Sequence, residues 1–193
     1  MPTDPTWPQP THILVVCTGN ICRSPAVERL LATELSAWPE VSVASAGVGA
    51  VVGAPISEPM AALLRAAGVS PDGFAARQLT EQMLREADLI LALARGHRSR
   101  IVGLYPRAVQ HTFTLRELAR LAGRVDPAAL PTGTPGERLA ALPPLAAAQR
   151  GMHVGATGED DVVDPYGGNQ SLYRRAFDEL RPAVMQIVRV VRG

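Results

Sequence analysis

Short apolar runs rich in β-branched residues alternate along this chain with longer segments of helical periodicity. The runs HILVV (12–16), VSVASAG (41–47), DLILAL (88–93) and AVQHTF (108–113) have the length and composition of buried strands. Strands that alternate with helices favour a parallel sheet. The pattern therefore predicts a single-domain α/β fold, a doubly wound sheet of about four parallel strands with helices on both faces.

Five segments carry apolar residues at helical spacing, namely 26–38, 59–68, 79–87, 96–104 and 171–192. Ser24 is the expected N-cap of the first helix, with Pro25 at its first position. Gly68 is expected to close the second helix, and Thr80 to cap the third. Pro182 predicts an irregularity within the last helix.

Two parts of the chain lie outside this alternation. Residues 1–11 contain prolines at positions 2, 5, 8 and 10, which remove amide donors and oppose a helix, so a disordered tail is expected there. Residues 123–160 are rich in Pro, Ala and Gly and are expected to form an insertion. A short helical piece is expected over 135–150, with the rest on the surface. Apart from this insertion, residues 12–193 are expected to form one domain.

Charge and cysteine content narrow the classes of function. The net charge is +1 and all 19 basic residues are arginine, which argues against nucleic-acid binding, Lys-based Schiff bases and P-loop nucleotide sites. There is no secretory signal pattern and no apolar stretch long enough to span a bilayer. Cys17 and Cys22 are too close to staple a secreted scaffold, which favours a cytoplasmic location. They also lack the Cys/His partners of a zinc site, so neither a metal nor another cofactor is expected.

The first predicted strand runs directly into the loop CTGNICRSP (17–25), and a helix follows. Successive amide N–H groups and the helix N-terminus form a nest for a tetrahedral oxyanion, and Gly19 lets the backbone curl. The same dipoles favour the nucleophilic thiolate form of Cys17. Arg23 offers a planar fork to two phosphate oxygens, and Ser24 can donate to the thiolate. The residues expected to bind phosphate are Thr18, Gly19, Asn20, Ile21, Cys22, Arg23 and Ser24.

Phosphoryl transfer also needs a proton for the leaving oxygen, which this loop does not supply. Asp164, in the segment DVVDPYGGN, is the best candidate. Pro165 restricts its backbone, and Tyr166 can flank an aromatic substrate. Asp160 and Asp161 are expected to be solvated. The histidines, at positions 12, 97, 111 and 153, are expected to be ordinary surface or packing residues.

Together, CTGNICRSP and DPYGG resemble the low-molecular-weight protein tyrosine phosphatase family. The resemblance runs from about His12 to Arg192 around the insertion and includes SAG, ARQLT, ADLILAL and FTLREL. It implies that Cys17 forms a phosphocysteine intermediate and that Arg23 binds the phosphate oxygens. It also implies that Asp164 protonates the leaving group and then activates the hydrolytic water.

The same resemblance assigns supporting roles. Asn20 would hold the loop by bonding with Ser45, and Ser24 would assist the thiol. Cys22 matches the family's second cysteine, which forms a reversible disulfide with the nucleophile under oxidation.

Several positions depart from the family pattern. Phe74 stands where the family often has His near Asn20, and Leu93 replaces a frequent Met. The segment SAGVGAVVG, with Val51, lacks an aromatic on the pocket wall and is similar to bacterial members linked to exopolysaccharide assembly. Ile21, Val51 and Tyr166 are therefore expected to line the substrate pocket, which is open on one side because Gly167 follows the tyrosine.

Two substrate classes compete. FTLREL and DPYGGN also resemble the bacterial protein-arginine phosphatases, which carry Thr where this chain has Ile21. Ile offers apolar contact to a phenyl ring and no hydroxyl for a guanidino phosphate, which favours hydrolysis of protein phosphotyrosine. The protein-arginine phosphatase reading stays open as the alternative. The expected partner is a phosphorylated protein and, by family analogy, a bacterial tyrosine kinase is a candidate.

Two further functions compete with phosphatase activity. An arsenate reductase that uses an external small thiol stays open, whereas a thioredoxin-coupled one needs cysteines beyond Cys22 that the chain lacks. A non-catalytic phosphopeptide-binding module is disfavoured because thiol, arginine and acid occur together.

Overall fold

The computed structural model describes residues 10–151 and 160–193. Its strands are β1 Thr11–Cys17, β2 Val41–Gly47, β3 Leu89–Ala92 and β4 Thr112–Thr114. They form one parallel sheet in the order β2–β1–β3–β4. The prediction of four parallel strands is confirmed.

Seven α-helices lie within the described residues. They are α1 Arg23–Glu34, α2 Glu58–Ala66, α3 Glu81–Glu86, α4 Arg95–Leu104, α5 Leu115–Ala122, α6 Pro135–Gln149 and α7 Gln170–Arg192. Short 3₁₀ helices span Pro106–Gln110 and Pro127–Ala129. Thr80 caps α3 as predicted, accepting a hydrogen bond from the Met83 amide. Helix α7 continues through Pro182, where the sequence predicted an irregularity.

Alternate residues of β1 face opposite sides of the sheet, because the side-chain period of a strand is two. Ile13 and Val15 pack in one core cluster with α1, α2, α5, α6 and α7, whereas Leu14 and Val16 pack in a second cluster with α3 and α4. Helices therefore cover both faces, as the alternating sequence pattern predicted.

The carboxyl end of β1 is the point where the order of the strands reverses. From β1 the chain first goes to β2 on one side and later to β3 on the other. In open parallel sheets this reversal leaves a crevice beyond the carboxyl ends of the strands. Cys17, the last residue of β1, pairs in register with Gly47, the last residue of β2. The fold thus places Cys17 at the mouth of the crevice.

The segment expected to be a surface insertion contains helix α6, which belongs to the core. A capping box between Thr134 and Glu137 starts this helix. It packs against β1, α5 and α7. Its buried apolar side chains include Leu139, Leu142 and Ala146, each 0% exposed. The helical piece predicted over 135–150 is therefore confirmed as α6, although it belongs to the core and not to a surface insertion, and residues 152–159 lie outside the described residues.

Two boundaries also differ from prediction. The predicted strand 108–113 is largely wrong, because a 3₁₀ helix occupies Pro106–Gln110 and β4 begins at Thr112. The predicted tail ends before Thr11, which is buried in β1 and donates from its hydroxyl to Gly136 O at 3.0 Å. Residues 1–9 of the tail lie outside the described residues.

Candidate active site

The loop after β1 forms the floor of a cleft of about 250 Å³ at the carboxyl edge of the sheet. We call residues 17–24 the phosphate loop. The predicted pocket residues Ile21, Val51 and Tyr166 all line this cleft, as do the three candidate catalytic residues. The structure thus brings together residues that lie as far apart in the chain as positions 17 and 166.

Backbone polarity in the phosphate loop suits an anion. The carbonyl oxygens of its first three residues accept hydrogen bonds from amides within residues 48–51, each at 3.0 Å. By contrast, the amides of residues 18–22 donate to no group within the described ranges. Gly47 permits the close approach of the two segments, because a Cβ there would lie 2.3 Å from Thr18 O. The loop therefore keeps its N–H groups available, as in other anion nests.

Cys17 and Ser24 lie at the two ends of the phosphate loop, with Cys17 Sγ 2.9 Å from Ser24 Oγ. Asn20 Nδ2 donates to that hydroxyl at 2.9 Å, which leaves the Ser24 proton free to donate to the sulfur. The prediction that Ser24 caps α1 is wrong, because the helix starts at Arg23 and its N-cap, Cys22, makes no side-chain cap bond. The buried hydroxyl contacts the sulfur of the candidate nucleophile instead.

Asn20 is the centre of a buried hydrogen-bond network beneath the loop. Its Nδ2 also donates to Ser45 Oγ at 2.8 Å, and its Oδ1 accepts from the Arg77 amide at 2.8 Å. Ser45 in turn donates to Glu28 Oε2 at 2.5 Å. Asn20 has φ +55°, a left-handed conformation that asparagine tolerates better than most residues. The predicted support residues are thus brought together, whereas sequence reasoning missed Glu28 and Arg77.

Arg23 and Asp164 meet across the cleft. Arg23 is 4% exposed, and its Nη1 donates to Val162 O at 3.2 Å. Its Nη2 lies 2.6 Å from Asp164 Oδ2, and the Asp164 side chain is 54% exposed. The other carboxylate oxygen accepts from the Tyr166 amide at 3.1 Å. The guanidinium is therefore fixed at the protein side, while the carboxylate lies at the solvent side of the cleft.

The segment before Asp164 is anchored by charged side chains. Asp160 pairs with Arg120 at 3.1 Å. Asp161 Oδ1 accepts from the Arg95 amide at 2.7 Å, at the start of α4. The prediction that both aspartates are solvated is wrong for Asp160, whose side chain is 19% exposed, whereas that of Asp161 is 38% exposed. Neither partner is adjacent to them in sequence.

His97, in the first turn of α4, contacts the phosphate loop. Its Nε2 lies 2.9 Å from Thr18 Oγ1. Burial, together with the charge of Arg23, lowers the pKa of His97 to about 4, although Asp164 and Asp161 act in the opposite direction. The ring is therefore neutral at neutral pH. The expectation of an ordinary histidine missed this contact, which no local sequence signal reveals.

Cys22 also lines the cleft, and its thiol lies beside two hydroxyl groups. Its Sγ is 3.7 Å from the Tyr173 hydroxyl, which also lies 3.0 Å from Ser57 Oγ. Burial raises the pKa of the Cys22 thiol, although both hydroxyls act in the opposite direction. Both cysteines are free thiols. Cys22 therefore stays protonated and does not compete with Cys17 as a nucleophile.

The part of the chain that forms the sheet and the phosphate loop is similar to a known protein family. Residues 12–127 match the family model described as low molecular weight phosphotyrosine protein phosphatase. The chain belongs to this family. The matched region contains β1 except for its first residue, the whole of β2, β3 and β4, and the phosphate loop. It ends before α6.

Two proteins that are named for different activities are similar to the chain. The low molecular weight protein-tyrosine-phosphatase Etp of Escherichia coli K12 is 48% identical over 94 residues, which cover 49% of this chain and only 62% of Etp. The protein-arginine-phosphatase of Geobacillus stearothermophilus is 32% identical over 175 residues, which cover 91% of this chain and 92% of that protein.

Solved structures agree with the fold. The YwlE arginine phosphatase from Geobacillus stearothermophilus superimposes with a TM-score of 0.66 at 30% identity, covering 93% of this chain and 92% of that one. The tyrosine phosphatase AmsI of Erwinia amylovora gives a TM-score of 0.67 at 27% identity, covering 93% and 91% of the two chains. The extensive coverage of both structures supports the family assignment.

Phe74 stands where the family often has a histidine near Asn20, so the Asn20 network uses other partners in this chain. Phe74 is buried, and its ring lies 5.8 Å from the Arg29 guanidinium. Asn20 bonds with two serines and a backbone amide instead.

Within the described residues, no group of three or more His, Cys, Asp or Glu side chains can hold a metal ion. No helix in that part of the chain is long and apolar enough to cross a membrane.

Proposed function

We propose that this chain hydrolyses phosphotyrosine in proteins through a phosphocysteine intermediate. The observation that carries the proposal is the convergence of Cys17, Arg23 and Asp164 on one cleft whose floor presents unbonded amide N–H groups. These parts supply a nucleophile, an anion clamp and a proton donor.

In the first step, the phosphate dianion binds to the loop amides and to Arg23. It competes with Asp164 for the guanidinium, and its negative charge favours the protonated form of that carboxyl group. The Cys17 thiolate attacks phosphorus, so that an S–P bond forms while the O–P bond to tyrosine breaks. Asp164 donates its proton to the leaving phenolate oxygen.

In the second step, the Asp164 carboxylate takes a proton from water, and the water oxygen attacks phosphorus. The S–P bond breaks, and the Ser24 hydroxyl, 2.9 Å from Cys17 Sγ, stabilises the departing thiolate. Support for a covalent intermediate comes from a solved cysteine-to-serine variant of the YwlE arginine phosphatase, which bears a phosphorylated active-site serine. That structure has a TM-score of 0.69 at 26% identity and covers 95% of this chain and 97% of its own.

Phosphotyrosine is preferred because the cleft is apolar around its entrance. Ile21, Val51 and Tyr166 offer contact to a phenyl ring. A guanidino phosphate would present N–H groups to these apolar side chains, and an unpaired buried polar group costs about 1–3 kcal/mol. We therefore expect at least a tenfold preference for phosphotyrosine.

Phosphoarginine hydrolysis is the second candidate. It is favoured by the arginine phosphatase relative, which matches over 91% of this chain. Phosphotyrosine and phosphoarginine peptides of the same sequence separate the two candidates, and equal or reversed rates contradict the preference. The Ile21→Thr variant provides the control, since its added hydroxyl should lower the ratio of phosphotyrosine to phosphoarginine turnover.

Turnover of p-nitrophenyl phosphate tests the mechanism. Cys17→Ser should abolish turnover, and Asp164→Ala should reduce it strongly. Arsenate-dependent oxidation of a small thiol without phosphatase activity would instead indicate an arsenate reductase. Tight phosphopeptide binding without turnover would indicate a binding module.

Cys22 is proposed to protect the nucleophile by reversible oxidation. A peroxide would oxidise the Cys17 thiolate to a sulfenic acid, and the Cys22 thiol would then displace water to form a disulfide. Such chemistry suits a reducing cytoplasm, which we propose as the location. Peptide mapping after peroxide treatment, with Cys22→Ser as the control, tests for the disulfide between Cys17 and Cys22.

The proposed partners are phosphorylated proteins, including a bacterial tyrosine kinase.

A further inference from the structure

The Thr18 hydroxyl occupies a position next to the nucleophile that the proposed mechanism does not use. Thr18 lines the cleft and is exposed. Its Oγ1 lies 2.9 Å from His97 Nε2, a contact between the phosphate loop and α4. A threonine hydroxyl can donate one hydrogen bond while it accepts others. The proton in the contact with His97 belongs either to the ring nitrogen or to the Thr18 hydroxyl. Only in the first case is the hydroxyl proton available to another acceptor.

The surroundings of the histidine ring favour one tautomer. His97 is 8% exposed, and its Nδ1 is buried without a hydrogen-bond partner in the described part of the chain. Buried N–H groups without a partner are rarer in proteins than under-used acceptors. The single ring proton is therefore best placed on Nε2, which donates to Thr18 Oγ1. The Thr18 proton is then not used in the contact with His97 and is free to donate to a group bound in the cleft.

The charges around His97 keep this arrangement intact at neutral pH. Arg23 disfavours a second cation beside the phosphate loop, and burial does so more strongly; together they hold the pKa of His97 near 4. Asp161 anchors the helix that carries His97, because its carboxylate accepts from the Arg95 amide at 2.7 Å. The imidazole is thus neutral. It is held in place by helix α4, which carries it, and by its contact with Thr18 of the phosphate loop.

We propose that His97 is a positioning residue that orients the Thr18 hydroxyl so that it donates to a phosphoryl oxygen of the bound substrate. This inference rests on the proposed phosphatase function. Thr18 supplies a neutral donor beside the charged Arg23 clamp, and His97 acts only through Thr18.

Kinetics with p-nitrophenyl phosphate test the pair. A hydrogen bond to a charged oxygen is strong enough that Thr18→Val and His97→Phe should each lower kcat/KM about tenfold or more. Both variants should also weaken inhibition by inorganic phosphate. Because the two residues act as one unit, the double variant should be no worse than either single variant. Additive losses would overturn the pairing.

Conservative variants separate positioning from a merely structural role. Thr18→Ser keeps the hydroxyl, and His97→Gln keeps an N–H donor at the position of Nε2, so both should stay within about threefold of the wild type. His111→Gln is the control for loss of a histidine, because His111 precedes β4 at the opposite edge of the sheet. If His97→Phe fails to fold, the kinetics of Thr18→Val still test the inference, because Thr18 is exposed and its replacement should not prevent folding.

The ring tautomer gives a readout independent of turnover. ¹⁵N chemical shifts of His97, assigned by comparison with His97→Gln, should show protonation at Nε2. Protonation at Nδ1, or wild-type kinetics for Thr18→Val, would overturn the inference. Absence of turnover in the wild-type protein would instead overturn the proposed function.

Discussion

Replacement of Asn20 by alanine is expected to damage both stability and activity. The Asn20 side chain is fully buried and makes three hydrogen bonds, to Ser24, Ser45 and the Arg77 amide. Both serines keep another partner, Cys17 and Glu28 respectively. The loss of their bonds therefore costs about 1 kcal/mol each.

The Arg77 amide loses its only side-chain acceptor in the Asn20→Ala variant, which adds about 1–3 kcal/mol. Alanine at φ +55° adds about 1 kcal/mol of backbone strain. The expected total is about 4–6 kcal/mol. Asn20→Gly loses the same hydrogen bonds without the strain, so it should be about 1 kcal/mol more stable than Asn20→Ala.

Urea unfolding measures the free energies, and p-nitrophenyl phosphate turnover without denaturant measures the effect on the loop. Asn169→Ala is the matched control, because the exposed Asn169 caps α7 and its side chain bonds only within the first turn of that helix, to Ser171 and Leu172, among the described residues. It should cost about 1 kcal/mol and leave kcat/KM unchanged. Equal stabilities for Asn20→Ala and Asn20→Gly would refute the strain argument. A loss below about 1 kcal/mol for Asn20→Ala would refute the role of the network.

Three other changes probe different parts of the structure. Leu142→Ala should lower the free energy of unfolding by about 2–5 kcal/mol, because α6 is core rather than surface; a loss below about 1 kcal/mol in urea would contradict this. The folded pKa of His97 is about 4, below its unfolded value. Its stabilising contribution is therefore present above about pH 6.5 and lost as the pH falls toward 4, by at most about 3 kcal/mol. Unfolding of the wild type should depend more steeply on pH in this window than unfolding of His97→Gln, and identical slopes would show that the ring is not buried as described. Asp161→Ala should cost about 1 kcal/mol and reduce kcat, because it releases the segment before the acid from α4; an unchanged kcat would mean that this anchor does not position the acid.

The sequence revealed what is encoded locally. The β-branched run from Ile13 to Val16 and the loop that follows were sufficient to predict the first strand and its candidate nucleophile. The apolar face of α7 was visible in the same way. Helix α5 was also within reach, because Thr114 and Glu117 have the spacing of a capping box that the structure contains.

Features that depend on tertiary contacts were not visible. The contact between His97 and Thr18 joins residues 79 positions apart, and no local pattern encodes it. Ser24 has the residue type of an N-cap, yet the nucleophile and Asn20 compete successfully for its hydroxyl. The sequence predicted a helical piece over 135–150 within a surface insertion, but it did not reveal that the leucines of this helix fill the core. Composition alone therefore underestimated how much of this segment is packed in the core.

The most direct test of the account is detection of the phosphoryl group on the nucleophile. The Asp164→Ala variant lacks the group proposed to activate water, whereas p-nitrophenolate leaves without a strong acid. Mixing this variant with p-nitrophenyl phosphate, quenching within the first turnover and mapping peptides by mass spectrometry should find one phosphoryl group on the peptide that contains Cys17. Continued release of p-nitrophenolate with that peptide always unmodified would contradict the account, as would turnover by Cys17→Ser.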